Sequence, residues 1–382
     1  MTNRAGARRS LTPVTVRSLF AEYVPVTNCP CLKEYRMSTR VLSGSIGRRV
    51  ALAFVALVGT AAGAVMIGAS DSHTCTAPAT PAASADLIDA ATSVTVHYRT
   101  VKVDDLDIFY REAGPKDAPV ILLLHGFPTS SQMFRNLIPA LADTYRVIAP
   151  DYPGFGQSSM PSVSEFEYSF DNLARVVDKF TAAVGIKDFT IYVFDYGAPI
   201  GFRIASRQPQ RVRGLIIQNG NAYEEGLRDF WVPFKAYWKD PSEANKVQLT
   251  PFFELPATKW QWTHGVQDES TISPDNWTLD QAGIDRPGNK DIQLQLFMSY
   301  STNPPLYPKW QEYFRTHQPP TLIVWGKNDY IFPAEGAAPY KRDLKNLDYN
   351  ILETGHFALE EMGDQIAEKI HVFMKERVTK QR

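Results

Sequence analysis

Four short stretches hold the side chains able to do chemistry. In IYVFDYGAPIG (191–201) an apolar run stops at Asp195, Gly197 follows, and the continuation APIGFRIASRQ has helical spacing. A sharp strand-to-helix turn lifts one side chain above a sheet. A serine there would suit an acyl carbon. A carboxylate is already ionised at neutral pH and can displace a leaving group at saturated carbon. In VILLLHGFPTS (120–130), His125, Gly126, Phe127 and Pro128 come directly after another apolar run. Gly126 permits a close backbone approach, and Pro128 fixes the turn while leaving the Phe127 N–H free to point into a site. TLIVWGKNDYIFP (321–333) sets Asp329 just past a third run, and LETGHFALEE (352–361) sets His356 between a fourth run and a helix.

These residues need a scaffold that gathers strand ends. Alternation in VHYRTVKV (96–103) and DIFYREA (107–113) predicts an antiparallel pair. The continuous runs VILLLH, YRVIAP, FTIYVF, GLIIQN, TLIVWG and YNILET predict parallel strands buried on both faces. Helical spacing in SQMFRNLIPALAD, in the stretch from Glu165 to about Val184, and in APIGFRIASRQ makes the chain a βαβ repeat. Between Asn221 and Thr316 the rhythm fails, and Trp231, Trp238, Trp260, Trp262, Trp277 and Trp310 appear among scattered prolines. The expected fold is α/β, with a mostly parallel sheet, helices on both faces and an inserted helical cap. The core is assigned to 95–221 and 317–380 and the cap to 222–316. KRDLKNLD (341–348) reads as a solvated helix face. In such sheets ligands bind outside the carboxyl ends of the strands, where all four stretches fall.

The chain order is nucleophile, acid, histidine. With HGFP, V-F-D-Y-G, G-K-N-D and G-H-F in that order, residues 95–380 resemble the α/β-hydrolase superfamily, in the branch of epoxide hydrolases and haloalkane dehalogenases. The resemblance implies Asp195 as nucleophile, His356 as the base that activates water, and Asp329 as the partner holding its imidazole. It also implies an oxyanion hole from the backbone N–H groups of Phe127 and Tyr196. His125 reads as a structural residue orienting that loop, and Glu360 as a reserve acid.

The two chemistries differ in what receives the leaving group. A halide needs indole or amide N–H donors, whereas an opening epoxide needs a hydroxyl that can hydrogen-bond its oxygen. Dehalogenases of this branch commonly carry tryptophan directly after the nucleophile, and some carry asparagine after His-Gly. Tyr196 and Phe127 stand there instead. HGFP is more similar to the epoxide hydrolases, which supply cap tyrosines. Of Tyr237, Tyr300, Tyr307 and Tyr313, the pair Tyr300 and Tyr307 flanks the breaker NPP and is preferred. Tyr196 departs from both subfamilies and leaves the substrate open. Hydrolysis of a small apolar epoxide to a diol is the leading expectation and hydrolytic dehalogenation the alternative. A non-catalytic binding module of the same fold is a third reading, opposed by the three filled triad positions.

The remaining features bound this picture. A formal net charge of −1 with 21% charged residues gives no reason to expect a nucleic-acid partner. Cys29, Cys31 and Cys75 all precede the expected core, so no thiol chemistry, metal or organic cofactor is implied. Residues 50–69 are uncharged and apolar, follow Arg48-Arg49, and lead into an Ala/Pro/Ser/Thr-rich linker (71–94). The run falls between the ~7 to 15 residues of a signal peptide and the ~18 or more of a spanning helix. Residues 37–70 are therefore expected to export the chain or anchor it in a membrane, after an extension (1–36) that fits no targeting pattern. Met37 is a candidate translation start. Asn276-Trp-Thr is a formal glycosylation sequon to which no role is assigned.

Overall fold

The computed structural model describes residues 94–381. The extension, the export or anchor segment, nearly all of the linker and the three cysteines lie outside the described residues. Among the described residues no helix is long and apolar enough to cross a membrane.

The eight apolar or alternating runs form eight strands: β1 (His97–Val103), β2 (Leu106–Ala113), β3 (Val120–Leu124), β4 (Arg146–Pro150), β5 (Phe189–Phe194), β6 (Val212–Gln218), β7 (Thr321–Gly326) and β8 (Leu347–Leu352). They make one sheet in the order β1-β2-β4-β3-β5-β6-β7-β8. The β1–β2 and β2–β4 pairs are antiparallel and every later pair is parallel. Leu122, Leu124, Ile191, Val193, Leu215 and Ile217 pack on one face; Ile121, Leu123, Tyr192, Phe194 and Ile216 pack on the other. Successive strand residues point to opposite faces, so burial of both faces requires the unbroken apolar runs seen in the sequence.

Helices α1 (Leu137–Leu141), α2 (Phe170–Ala183) and α3 (Gly197–Arg207) connect the strands. Two of them are shorter than their patterns suggest. SQMFRNLIPALAD divides into a 3-10 turn (Ser131–Phe134) and α1. α2 begins at Phe170, where the Ser169 hydroxyl accepts from the Asn172 N–H and caps the helix, while Glu165 and Phe166 turn back on Ser162. Between β6 and β7 run α4 (Val232–Lys239), α5 (Glu243–Leu249), α6 (Leu255–Thr263), α7 (Asp275–Ile284), α8 (Asn289–Ser299) and α9 (Tyr307–His317). Phe230, Trp231, Phe234, Phe252 and Phe297 from this interval join the core cluster that contains Leu124 and Val193. Their edge-to-face and tilted ring contacts bind the helices over the strand ends. After β7 come α10 (Tyr340–Asp343) and, beyond β8, α11 (Ala358–Phe373).

KRDLKNLD is not a solvated helix face. Only its first three residues are helical and β8 claims the last two. Asp343 is buried, accepting from the Tyr223 hydroxyl and from Arg315.

Candidate active site

The strand order reverses around β3, which has β4 on one side and β5 on the other. Because Leu124 is in register with Val193, the loops after β3 and β5 leave the sheet at the same height. The backbone at Gly126 meets Asp195 so closely that a Cβ added there would lie 2.3 Å from the Asp195 Cβ. At Gly197 a Cβ would lie 2.2 Å from the Leu124 carbonyl oxygen. Both glycines are thus required by contact, and Asp195 itself is held at φ +48°. Non-glycine residues in that region cost ~1–3 kcal/mol and persist where the surroundings over-determine them.

The strain aims the carboxylate at backbone donors. The Phe127 N–H donates to Asp195 Oδ1 at 2.7 Å. The Tyr196 N–H, at the start of α3, donates to the same carboxyl group. Asp195 is only 5% exposed. Burial raises its pKa to about 6, and the raise is limited by His356 and by the two N–H donors. At neutral pH the group is therefore mostly an anion, with Oδ1 engaged by Phe127.

The other two residues meet across β7 and β8. Gly326 pairs with Leu352 at the strand ends, so the loops carrying Asp329 and His356 start side by side. His356 Nδ1 lies 2.7 Å from Asp329 Oδ2, both side chains being buried. Burial alone would lower the His356 pKa, but Asp329 and then Asp195 outweigh it and the net direction is upward. Nε2 is buried with no hydrogen-bond partner among the described residues. With Nδ1 donating to Asp329, Nε2 is the basic nitrogen.

Asp329 is fixed by two further donors, the Ile331 N–H to Oδ1 at 2.7 Å and the Asn219 side-chain amide to Oδ2 at 2.6 Å. Asn219 in turn accepts the Gly326 N–H at 3.0 Å. Sequence reading overlooked Asn219, whose only mark was its place as the last residue of the run GLIIQN, one past the end of β6. His125 sits behind the loop: its Nδ1 is 3.0 Å from the Gly126 carbonyl, its Nε2 accepts the Tyr152 N–H, and its ring stacks on Tyr152. Burial lowers its pKa to about 4, so it stays neutral and structural. Glu360 is engaged elsewhere, in a two-pronged pair with Arg135 at 2.9 Å for each contact.

A narrow cavity opens over Asp195, lined by Phe127, Tyr196, Phe230, Trp231, Phe234, Phe252, Gln261, Phe297, Tyr300 and Ile331. A larger open cleft along Arg111, Asp151, Asp280 and Arg286 does not include Asp195 or His356. Of the preferred tyrosines, Tyr300 lines the cavity. Tyr307 stands behind it, hydrogen-bonded to Tyr300 and accepting from the Asn221 amide at 3.0 Å. A hydroxyl has one proton. Tyr307 accepts from both Asn221 and Tyr300, and the Tyr300 hydroxyl, free to rotate about its C–O bond, can turn its proton from Tyr307 to a group in the cavity. Tyr237 and Tyr313 are not among the lining residues. Trp231 is the one indole in the lining, and its N–H donates to the Ile331 carbonyl at 2.8 Å. The Trp238 and Trp262 N–H groups are likewise engaged, by Phe297 O and Asp280. Trp231 was one of six cap tryptophans that could offer a halide donor, with nothing to single it out, and Gln261 carried no recognisable signal in the sequence.

Known proteins share this architecture. The alpha/beta hydrolase fold family matches residues 119–362. An uncharacterized hydrolase of Saccharomyces cerevisiae is 46% identical over 285 residues, covering 73% of this chain and 97% of its own. A haloalkane dehalogenase of Bradyrhizobium diazoefficiens is 38% identical over 159 residues, 42% of this chain and 50% of that one. The crystal structure of an ancestral haloalkane dehalogenase superposes with a TM-score of 0.58 at 26% identity, covering 72% of this chain and 99% of its own.

Proposed function

The chain belongs to the α/β-hydrolase fold family, and on that footing we propose that it hydrolyses small apolar epoxides to diols through a covalent ester on Asp195. In the first step the Asp195 oxygen not held by Phe127 attacks an epoxide carbon. The ring C–O bond breaks, its electron pair stays on oxygen, and that oxygen takes a proton from Tyr300. In the second step His356 Nε2 removes a proton from water, and the water oxygen attacks Asp195 Cγ. Negative charge develops on Oδ1, to which the Phe127 N–H already donates, with the Tyr196 N–H directed at the same carboxyl group. Each such donor is worth ~3 kcal/mol in related hydrolyses. Asp329 stabilises the imidazolium, which then protonates the departing alkoxide. Asp195 is left as the acid and returns its proton to the Tyr300 oxygen, so epoxide and water have become a diol.

The observation that carries the epoxide reading is the inventory of donors over Asp195. Among the described residues lining the cavity, the hydroxyls of Tyr300 and Tyr196 can turn a proton toward it, whereas the indole N–H of Trp231 is committed to Ile331. A haloalkane is the second reading, favoured by the names of several relatives and by the amide of Gln261 in the cavity wall. A panel of epoxides and haloalkanes, read by diol formation and halide release, tests the ranking. Diol formation is expected. Halide release without diol overturns it, and silence with every substrate favours a binding module. An exported or membrane-anchored location is part of the same proposal. It rests on residues 50–69 alone and is tested by sequencing the N-terminus of the natively expressed protein.

A further inference from the structure

The wall of the cavity contains a donor that the mechanism above leaves unused. Gln261 lies on α6, is 4% exposed, and its Nε2 has no hydrogen-bond partner among the described residues. It lines the same cavity as Asp195 and Tyr300. A buried amide N–H without an acceptor destabilises a fold and calls for an explanation. Its position is not loose. The neighbouring Trp262 stacks on Phe357, next to His356, with ring centroids 3.5 Å apart, and its indole N–H donates to Asp280. One turn earlier, the Thr258 hydroxyl donates to Gln281 on α7. The amide is thereby held over a largely aromatic pocket whose other polar side chains are Asp195 and the hydroxyls of Tyr196 and Tyr300.

Resting on the reading that Asp195 is alkylated, we propose that the Gln261 side-chain amide is the second donor to the leaving atom, paired with Tyr300. The division of labour follows from their chemistry. A carboxamide N–H stabilises developing negative charge but does not release its proton, whereas the Tyr300 phenol donates both the hydrogen bond and the proton. As the ring C–O bond breaks, the oxygen is held by Gln261 and protonated by Tyr300. The same N–H would hold a halide, which needs a donor and no proton. In this chain a phenol and an amide thus take the place of the two tyrosines expected from the sequence, with Tyr307 acting through Tyr300 rather than on the substrate.

The test is Gln261→Met, which keeps the length of the side chain and removes the donor, made in a His356→Ala background so that the ester on Asp195 accumulates. Epoxyhexane and bromohexane are the probes, and adduct formation is followed by intact-protein mass spectrometry. The expected result is alkylation slowed roughly a hundredfold or more with the probe that reacts. With His356 intact, breakdown of the ester should be unchanged, and the variant should melt at or above the parent temperature. That combination separates a donor to the substrate from a structural residue. If the His356→Ala parent forms the adduct and Gln261→Met forms it within about threefold of that rate, the assignment of Gln261 is wrong while the Asp195 reading stands. If the parent forms no adduct with either probe, both fall together.

Discussion

Replacing Asp195 by asparagine should stabilise the fold at neutral pH and abolish activity. Burial moves the carboxyl from 3.8 to about 6. At ~1.4 kcal/mol for each tenfold change in proton affinity, the ionised form is destabilised by about 3 kcal/mol. Asparagine keeps an oxygen to accept the Phe127 and Tyr196 N–H groups, tolerates the positive φ, and carries no charge into the buried site. The sign follows from linkage. Between 3.8 and about 6 the folded state holds this proton more tightly than the unfolded chain, so ionisation erodes stability as pH rises. The advantage of Asp195→Asn is therefore absent below that window, grows through it, and is full above it. For a domain of this size ~3 kcal/mol corresponds to roughly 5 °C in melting temperature. Thermal melts of both proteins from mildly acid to mildly alkaline pH, followed by circular dichroism, measure the difference directly. A variant that is less stable at neutral pH, or a gain that does not change with pH, would refute the claim that a buried charge is being held here against its desolvation cost.

Other consequences of the geometry are open to measurement. Formation of the ester should rise with pH through about 6 as Asp195 ionises. Its hydrolysis should rise through a pKa above the ordinary histidine value, because His356 must be neutral to act; single-turnover kinetics separates the two profiles. Asn219→Ala removes a donor to a buried carboxylate and puts alanine at φ +44°, for a loss of about 2–4 kcal/mol in denaturant titrations and slower ester breakdown. Tyr300→Phe should slow ester formation roughly a hundredfold. Tyr307→Phe, one hydroxyl further from the substrate, should slow it less, and equal effects on rapid-quench rates would argue against that order.

The strands were legible because burial on both faces leaves an unbroken apolar signature, as in FTIYVF and TLIVWG, and their ends located Asp195, Asp329 and His356. Gly126 and Gly197 were legible as points of close approach. Helix boundaries were less so: apolar spacing continues upstream of Ser169, and only the hydroxyl cap decides where α2 begins. KRDLKNLD has a surface composition, yet Asp343 is drawn inward by Tyr223 and Arg315, partners far away in sequence. The cap residues were the least legible. Which of four tyrosines and six tryptophans faces Asp195 depends on how α4, α6 and α8 pack across the strand ends. Period and composition do not encode that choice. Trp231 illustrates the point, since it reaches the cavity with its N–H already given to Ile331. Gln261 is the converse, an ordinary helix residue by sequence whose meaning comes from the burial of its amide.

The central claim is that the substrate is joined to Asp195 and released by water attacking Cγ. It is tested most directly by turnover in water enriched in heavy oxygen, with whichever substrate of the panel reacts. Mass spectrometry is then applied to the peptide bearing Asp195. The mechanism places oxygen from water in the Asp195 carboxyl group, and the first-turnover product carries an oxygen that came from the protein. A labelled product with an unlabelled Asp195 peptide would mean that water attacks the substrate itself, and would contradict the covalent route.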